Sequence, residues 1–99
     1  MRRHRCFYRT RCRRSDFEFS FEEQPDGSWR AYILSQPPYR GRCEDELETH
    51  RLTGGDGRRY VCFYPSPSSL SDMKAVAALW ADTTMIYIET GVFTPSAVS

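Results

Sequence analysis

Phe17, Phe19 and Phe21 alternate with Glu18, Ser20 and Glu22, a strict period of two. That period predicts a strand with its rings turned to a core and its carboxylates to water. Gln24-Pro25-Asp26-Gly27-Ser28 follows as a turn, since Pro25 pre-sets one backbone angle and Gly27 permits a positive φ. Residues 29–34 make the return strand. Trp29, Ala31 and Ile33 share one face, and Arg30, Tyr32 and Leu34 share the other, which places Arg30 near the carboxylates of the first strand. A second hairpin is expected from residues 49–53 and 58–64 around Gly54-Gly55-Asp56-Gly57. Tyr60, Cys62 and Tyr64 lie on one side of its second strand, with Val61 and Phe63 on the other. Two apolar sides predict a central position.

The period then changes. Pro65-Ser66-Pro67-Ser68 stops the sheet, and Ser69 with Asp72 three residues on reads as a helix start. Leu70, Met73, Val76, Ala77, Trp80, Thr84, Tyr87 and Ile88 fall within one stripe at 100° per residue, while Ser71, Ala75, Asp82 and Glu89 lie off it. Leu79 and Ile86, with Ala75, make a thin second stripe, which is explained by packing under a loop or arm or by a partner. Gly91 is a natural stop. The expected architecture is α+β: an antiparallel sheet of three to four strands in two hairpins, one C-terminal amphipathic helix on one face, and a basic N-terminal arm. Residues 1–15 are read as the arm, 16–93 as a single domain and 94–99 as a frayed tail.

Ninety-nine residues suffice for one domain with one modest core, and aromatic residues at 14% can fill it. No apolar run approaches the roughly 18 residues that a membrane span needs. None follows the N-terminal arginines as a secretory leader would require. The expectation is a cytoplasmic protein without a membrane partner, its four cysteines held as thiols.

Charge sharpens this picture. Arg2, Arg3, Arg5, Arg9, Arg11, Arg13 and Arg14 crowd the first fourteen residues without one acid, while the rest of the chain holds seven bases and thirteen acids and carries −6. Such an arm can neutralise phosphates, and Phe7 and Tyr8 among the arginines can stack on bases. A solvated tail is the plain alternative. From Trp29 onward, Gly27-Ser28-Trp29-Arg30-Ala31-Tyr32-Ile33, Arg59-Tyr60-Val61-Cys62-Phe63 and the helix through Trp80 are similar in layout to plant AP2-type domains and to the arm-binding domains of tyrosine integrases. That resemblance implies DNA read by basic side chains on the open sheet face. Here that face is expected to be poor in bases, and the connection over residues 35–48 is longer and more acidic than the plan requires.

This long connection points to protein docking instead. Tyr39, Arg40 and Arg42 beside two prolines are of the residue types that dominate interface hot spots, with cover of a sheet edge the alternative for Tyr39. Glu44, Asp45, Glu46 and Glu48 add an acidic patch, for which a solvated surface is the alternative. Small phage and mobile-element inhibitors, those of CRISPR nucleases among them, share this size and charge build.

Chemistry has less support. Zinc sites draw soft ligands from close pairs such as C-x2-C, and His4, Cys6, Cys12, Cys43, His50 and Cys62 supply none. Cys62 with His50 is the one nucleophile–base pair the second hairpin brings near, yet Cys62 between Val61 and Phe63 reads as a small core residue. The glycine-rich turn precedes a strand, so it is no phosphate loop. The expectation is no enzyme, no metal and no cofactor. The favoured reading is a non-catalytic protein that docks on a larger protein or nucleoprotein complex, with a nucleic-acid module built on the arm second and a thiol or zinc protein third. No oligomeric state is assigned.

Overall fold

A computed structural model describes residues 2–93; the expected frayed tail, residues 94–99, lies outside the described residues. Five strands form one antiparallel sheet: β1 Arg3–Arg9, β2 Asp16–Glu23, β3 Trp29–Ser35, β4 Arg51–Thr53 and β5 Arg59–Val61, ordered β1-β2-β3-β5-β4. A one-turn helix, α1 (Glu46–Thr49), precedes β4. A long helix, α2 (Leu70–Thr90), packs on β2 and β3. The α+β class, the antiparallel sheet and the single long C-terminal helix are as the pattern predicts, and β5 is central.

The sheet has a strand more than expected because the arm is part of it. Arg3–Arg9 pairs along its full length with β2, with Arg5 opposite Ser20 and Phe7 opposite Glu18. Alternation exists in β1 but is disguised. His4, Cys6 and Tyr8 turn to the helix side, where Cys6 and Tyr8 pack on the core. Arg3, Arg5, Phe7 and Arg9 turn to the other side. A strand whose inward residues are half-polar and whose outward residues include a phenylalanine carries no period-two hydropathy signal.

The core lies between α2 and the helix side of the sheet. Phe17, Phe19 and Phe21 of β2, Trp29 and Ala31 of β3 and Val61 of β5 meet Met73, Ala77, Trp80, Ala81, Met85, Tyr87 and Ile88. Trp80 stands edge-on to both Phe17 and Phe19, with centroids 5.7 and 6.1 Å away. Its indole N–H donates to the Thr49 carbonyl at 3.0 Å, so the one polar atom of this large core side chain is satisfied. Burying each such side chain is worth about 1.5–3 kcal/mol, which makes this seam the main source of stability.

Both ends of α2 are closed as the residue types predict. The Ser69 hydroxyl accepts from the Asp72 amide. Gly91, at φ 82°, returns its amide to the Tyr87 carbonyl. That positive φ favours glycine, and a Cβ there would lie 2.9 Å from the Arg42 guanidinium and push it aside. The second half of the helix is buried nearly all round. Asp82, Thr83 and Met85, off the predicted stripe or unassigned by it, are buried as Trp80 is. Ile86 of the thin second stripe lines a cavity with Thr10, Arg11, Cys12 and Arg14, so the β1–β2 turn is what covers it.

Candidate functional site: the open face of the sheet

Asp82 holds the arm in place. Its carboxylate accepts from the Tyr8 hydroxyl at 2.8 Å and from the Arg11 amide at 2.9 Å, and the Arg11 guanidinium stands 3.9 Å away. Burial and the bond to Asp82 push the Tyr8 hydroxyl up to about 12. Arg14 reaches Glu89 at 2.7 Å on the last turn of α2.

The other arm arginines meet the acidic body too. Arg2 pairs with Glu23, Arg3 with Glu22, Arg5 with Glu18 and Arg9 with Asp16. Six of the seven arm arginines therefore face a carboxylate of the same chain; Arg13, at φ 60°, is the exception among the described residues. The basic arm and acidic body seen in the sequence are two halves of one internal neutralisation.

This pairing builds the face of the sheet that no helix covers. Its centre is Glu22, which accepts two bonds from the Arg58 guanidinium at 2.8 and 3.1 Å and one from Ser20 at 2.8 Å. Those bonds, Arg58 foremost, with Arg3 nearby, hold the Glu22 carboxyl below the usual glutamate range against the opposing effect of burial. The Arg58 guanidinium lies over the Tyr32 ring at 3.8 Å and Arg30 over the Tyr60 ring at 4.2 Å, while the two rings meet edge to face at 5.6 Å. Arg30 is opposite Glu22 in register, as expected, but stacks on Tyr60 and donates to the Tyr32 hydroxyl, because Arg58 holds the carboxylate.

Two expectations for this face are corrected. Glu18 and Ser20 do not face water: they are buried, because β1 flanks them on one side and β3 on the other. The face is not poor in bases, since β1 brings Arg3, Arg5 and Arg9 to join Arg30 and Arg58. Amid these paired charges stand exposed apolar side chains. Phe7, opposite Glu18 in register, is 75% exposed, Leu34, next to the Ser35 that pairs with Glu18, is 40% exposed, and Leu52 is 38% exposed at the far edge. Leu34 turns outward beside a register shift between Glu18 and Phe19.

The long connection is placed differently from its reading as a docking loop. Tyr39 is buried, edge to face with Tyr87 at 5.9 Å. Arg42 donates to the Ile88 and Glu89 carbonyls at 3.1 and 3.0 Å, a cation on the negative end of the α2 dipole. Both serve the fold, since two prolines keep the segment out of the sheet and lay it against the end of α2. Asp45 caps α1 through the Glu48 amide. Arg40, Glu44, Glu46 and Glu48 remain exposed, with Leu47 between the last two.

The hairpin brings Cys62 and His50 together, as expected, with the Cys62 amide donating to the His50 carbonyl at 2.9 Å. His4 lies against Trp29, and His50 stacks on Phe93 at 4.3 Å. Cys62 shares a 160 Å³ cavity with His50, but its other walls are Val61, Phe63, Val76, Leu79, Trp80 and Phe93, with no carboxylate to orient the imidazole. Cys12 is exposed, and the Thr10 hydroxyl 3.1 Å from its sulfur holds the thiol below its ordinary value. No group of three or more His, Cys, Asp or Glu side chains converges for a metal among the described residues. No helix among them is long and apolar enough to cross a membrane.

Compared with known proteins, the chain matches no family model, no curated protein and no solved structure.

Proposed function

We propose that the protein is a non-catalytic binding module that docks another protein through the open face of its sheet. The observation that carries this reading is the exposure of Phe7 and Leu34 among tyrosines and arginines of which Arg3, Arg5, Arg9 and Arg58 are already balanced by Glu18, Glu22 and Asp16. A polyanion draws its affinity from unpaired cations and released counterions, and on this face it would have to displace carboxylates from every arginine of β1. A protein surface needs the opposite: apolar anchors, Tyr and Arg side chains held rigid by stacking, and little net charge to desolvate. The arm thus contributes to docking as a strand rather than as a phosphate clamp.

Parallel affinity capture with the wild-type chain and a Phe7→Ser/Leu34→Ser variant tests the reading. Both side chains are exposed, so the variant keeps its unfolding midpoint. The expected result is one protein recovered by the wild type at low and high salt and lost from the variant. Nucleic acid in the eluate that disappears as salt rises would sink the reading, as would self-association of the wild type that the variant abolishes.

A further inference from the structure

One arginine among the described residues is buried without a carboxylate partner, and it lies away from the docking face. Arg51 of β4 is only 9% exposed. Its side chain points to the helix side of the sheet, in register with Val61 of the core. All its hydrogen-bond partners are neutral: Thr49 Oγ1 at 3.1 Å from Nε, Gln36 Oε1 at 3.3 Å from Nη1 and the Glu44 carbonyl at 3.1 Å from Nη2. A guanidinium has five N–H donors, so one on each terminal nitrogen is left over. The flat of the group is spent on the Tyr39 ring, 4.9 Å away. Its edge borders a cavity of about 240 Å³ lined by Gln36, Pro37, Pro38, Tyr39, Glu44 and Arg51. Tyr39, on the same cavity, has a buried hydroxyl with no hydrogen-bond partner.

A buried cation without a counter-charge is costly, and proteins ordinarily avoid one by pairing it. The pairing is absent here although the chain pairs nearly all its other cations near the arm. We infer that the cavity is a binding site for a carboxylate, which would pair with the two spare N–H donors of Arg51 while a short apolar stem lies between Pro37 and Pro38. The cavity has room for it: each water of such a space takes about 30 Å³, so a small acid displaces several. A dianionic phosphate fits the same site poorly. The two prolines have no N–H to offer, Arg51 is the one cation on the wall, and Glu44 stands there too. A singly charged planar group matches two donors of the arginine fork.

The source of that carboxylate, a free small acid or the C-terminus of a peptide, is separated by experiment. Sodium benzoate, benzamide, sodium propionate, inorganic phosphate and one tetrapeptide in free-acid and amidated forms are titrated into the whole protein. Binding is read as the unfolding midpoint and as NMR shifts of the Arg51 side-chain Nε–H. Benzoate or propionate is expected to raise the midpoint and move that resonance, while benzamide does neither. If the free-acid peptide binds at least tenfold tighter than propionate and the amidated form does not bind, the ligand is a peptide terminus; equal or weaker binding identifies a small acid. Arg51→Met removes the response. Glu44→Gln, an exposed change that leaves the fold intact, tightens binding several-fold, which keeps the test decisive if Arg51→Met does not fold. Phosphate binding as tightly as benzoate, or no carboxylate moving the midpoint or the resonance, overturns the assignment.

Discussion

The arm and the Arg51 cavity treat the same side chain in opposite ways. In the arm, arginines 60–75% exposed at the side chain each stand against a carboxylate of the body. Beside β4, an arginine nine-tenths buried has none. Energetically the second case is the anomaly. A water-exposed ion pair gains little and loses little, whereas a buried guanidinium held by neutral acceptors keeps much of its desolvation cost. Abundance of charge in a sequence is therefore a poor guide to where charge acts. Six of the seven arm arginines are taken up in folding the chain, and the buried one in β4 remains available to a ligand.

The contrast breaks most severely at Asp82. This carboxylate is what turns a basic tail into an ordered strand and turn, because it gathers the Tyr8 hydroxyl and the Arg11 amide from one element onto another. Hydrogen bonds to a charged acceptor are worth about 1.5–3 kcal/mol each when their loss leaves donors unmet. Asp82→Ala is expected to cost about 3 kcal/mol in chemical denaturation and to raise hydrogen exchange across Arg3–Arg9 above that of β2. Unchanged protection of β1 in this variant would show that strand pairing alone holds the arm. The contrast would then lose its left-hand side, since arginines on a strand that needs no carboxylate are not part of its folding.

What the sequence conceals follows the same line. The β2 phenylalanines and the Trp80 stripe were legible because burial on one face writes a period into hydropathy. The helix caps at Ser69 and Gly91 were legible because their chemistry is local. β1 was not, since its inward positions are His4, Cys6 and Tyr8. Asp82 was not, because its burial comes from the β1–β2 turn, 71 residues away in the chain at Arg11, and helical periodicity knows nothing of it. Tyr39 and Arg42 read as docking residues because the connection is long and Tyr and Arg are the types that dominate interface hot spots. Their burial is a property of where the loop lands, on the end of α2. Arg51, between His50 and Leu52 in a three-residue strand, carries no pattern that marks its burial.

A smaller effect sharpens the comparison at Glu22, the paired carboxylate that is least exposed to solvent after Glu18 and Asp82. Its folded value is depressed below the ordinary 4.5, chiefly by Arg58. Between the depressed value and 4.5 the unfolded chain binds more protons than the folded one, so stability rises with pH across that window. The contribution is fully present above about pH 4.5 and is lost as pH falls through the folded value. Glu22→Gln is expected to flatten this acid limb by about 1 kcal/mol, read as unfolding midpoints from pH 2 to 6, with the neutral-pH stability lowered by a similar amount. A limb of unchanged slope would mean that Arg58 is held by the Tyr32 ring and not by the carboxylate.

The smallest effect belongs to the most exposed pair. Arg9 and Asp16 bond at 2.9 and 3.0 Å, a two-pronged geometry that on paper equals Arg58 with Glu22. Yet both side chains are more than half exposed, and water and salt screen what the geometry offers. Arg9→Gln is therefore expected to leave the denaturation midpoint unchanged within error. The pairing still leaves a trace, because the Arg9 hydrogen bonds hold the Asp16 carboxyl below its ordinary 3.8. In the variant that group should titrate closer to 3.8 by carboxyl NMR, and raising the salt should move the wild type in the same direction. A perturbed titration without a stability change is what separates charge that merely sits in a favourable place from charge that the fold depends on. If Arg9→Gln instead destabilised the protein as much as Glu22→Gln, exposure would not be the variable that ranks these arginines, and the buried guanidinium of Arg51 would lose its claim to be different in kind.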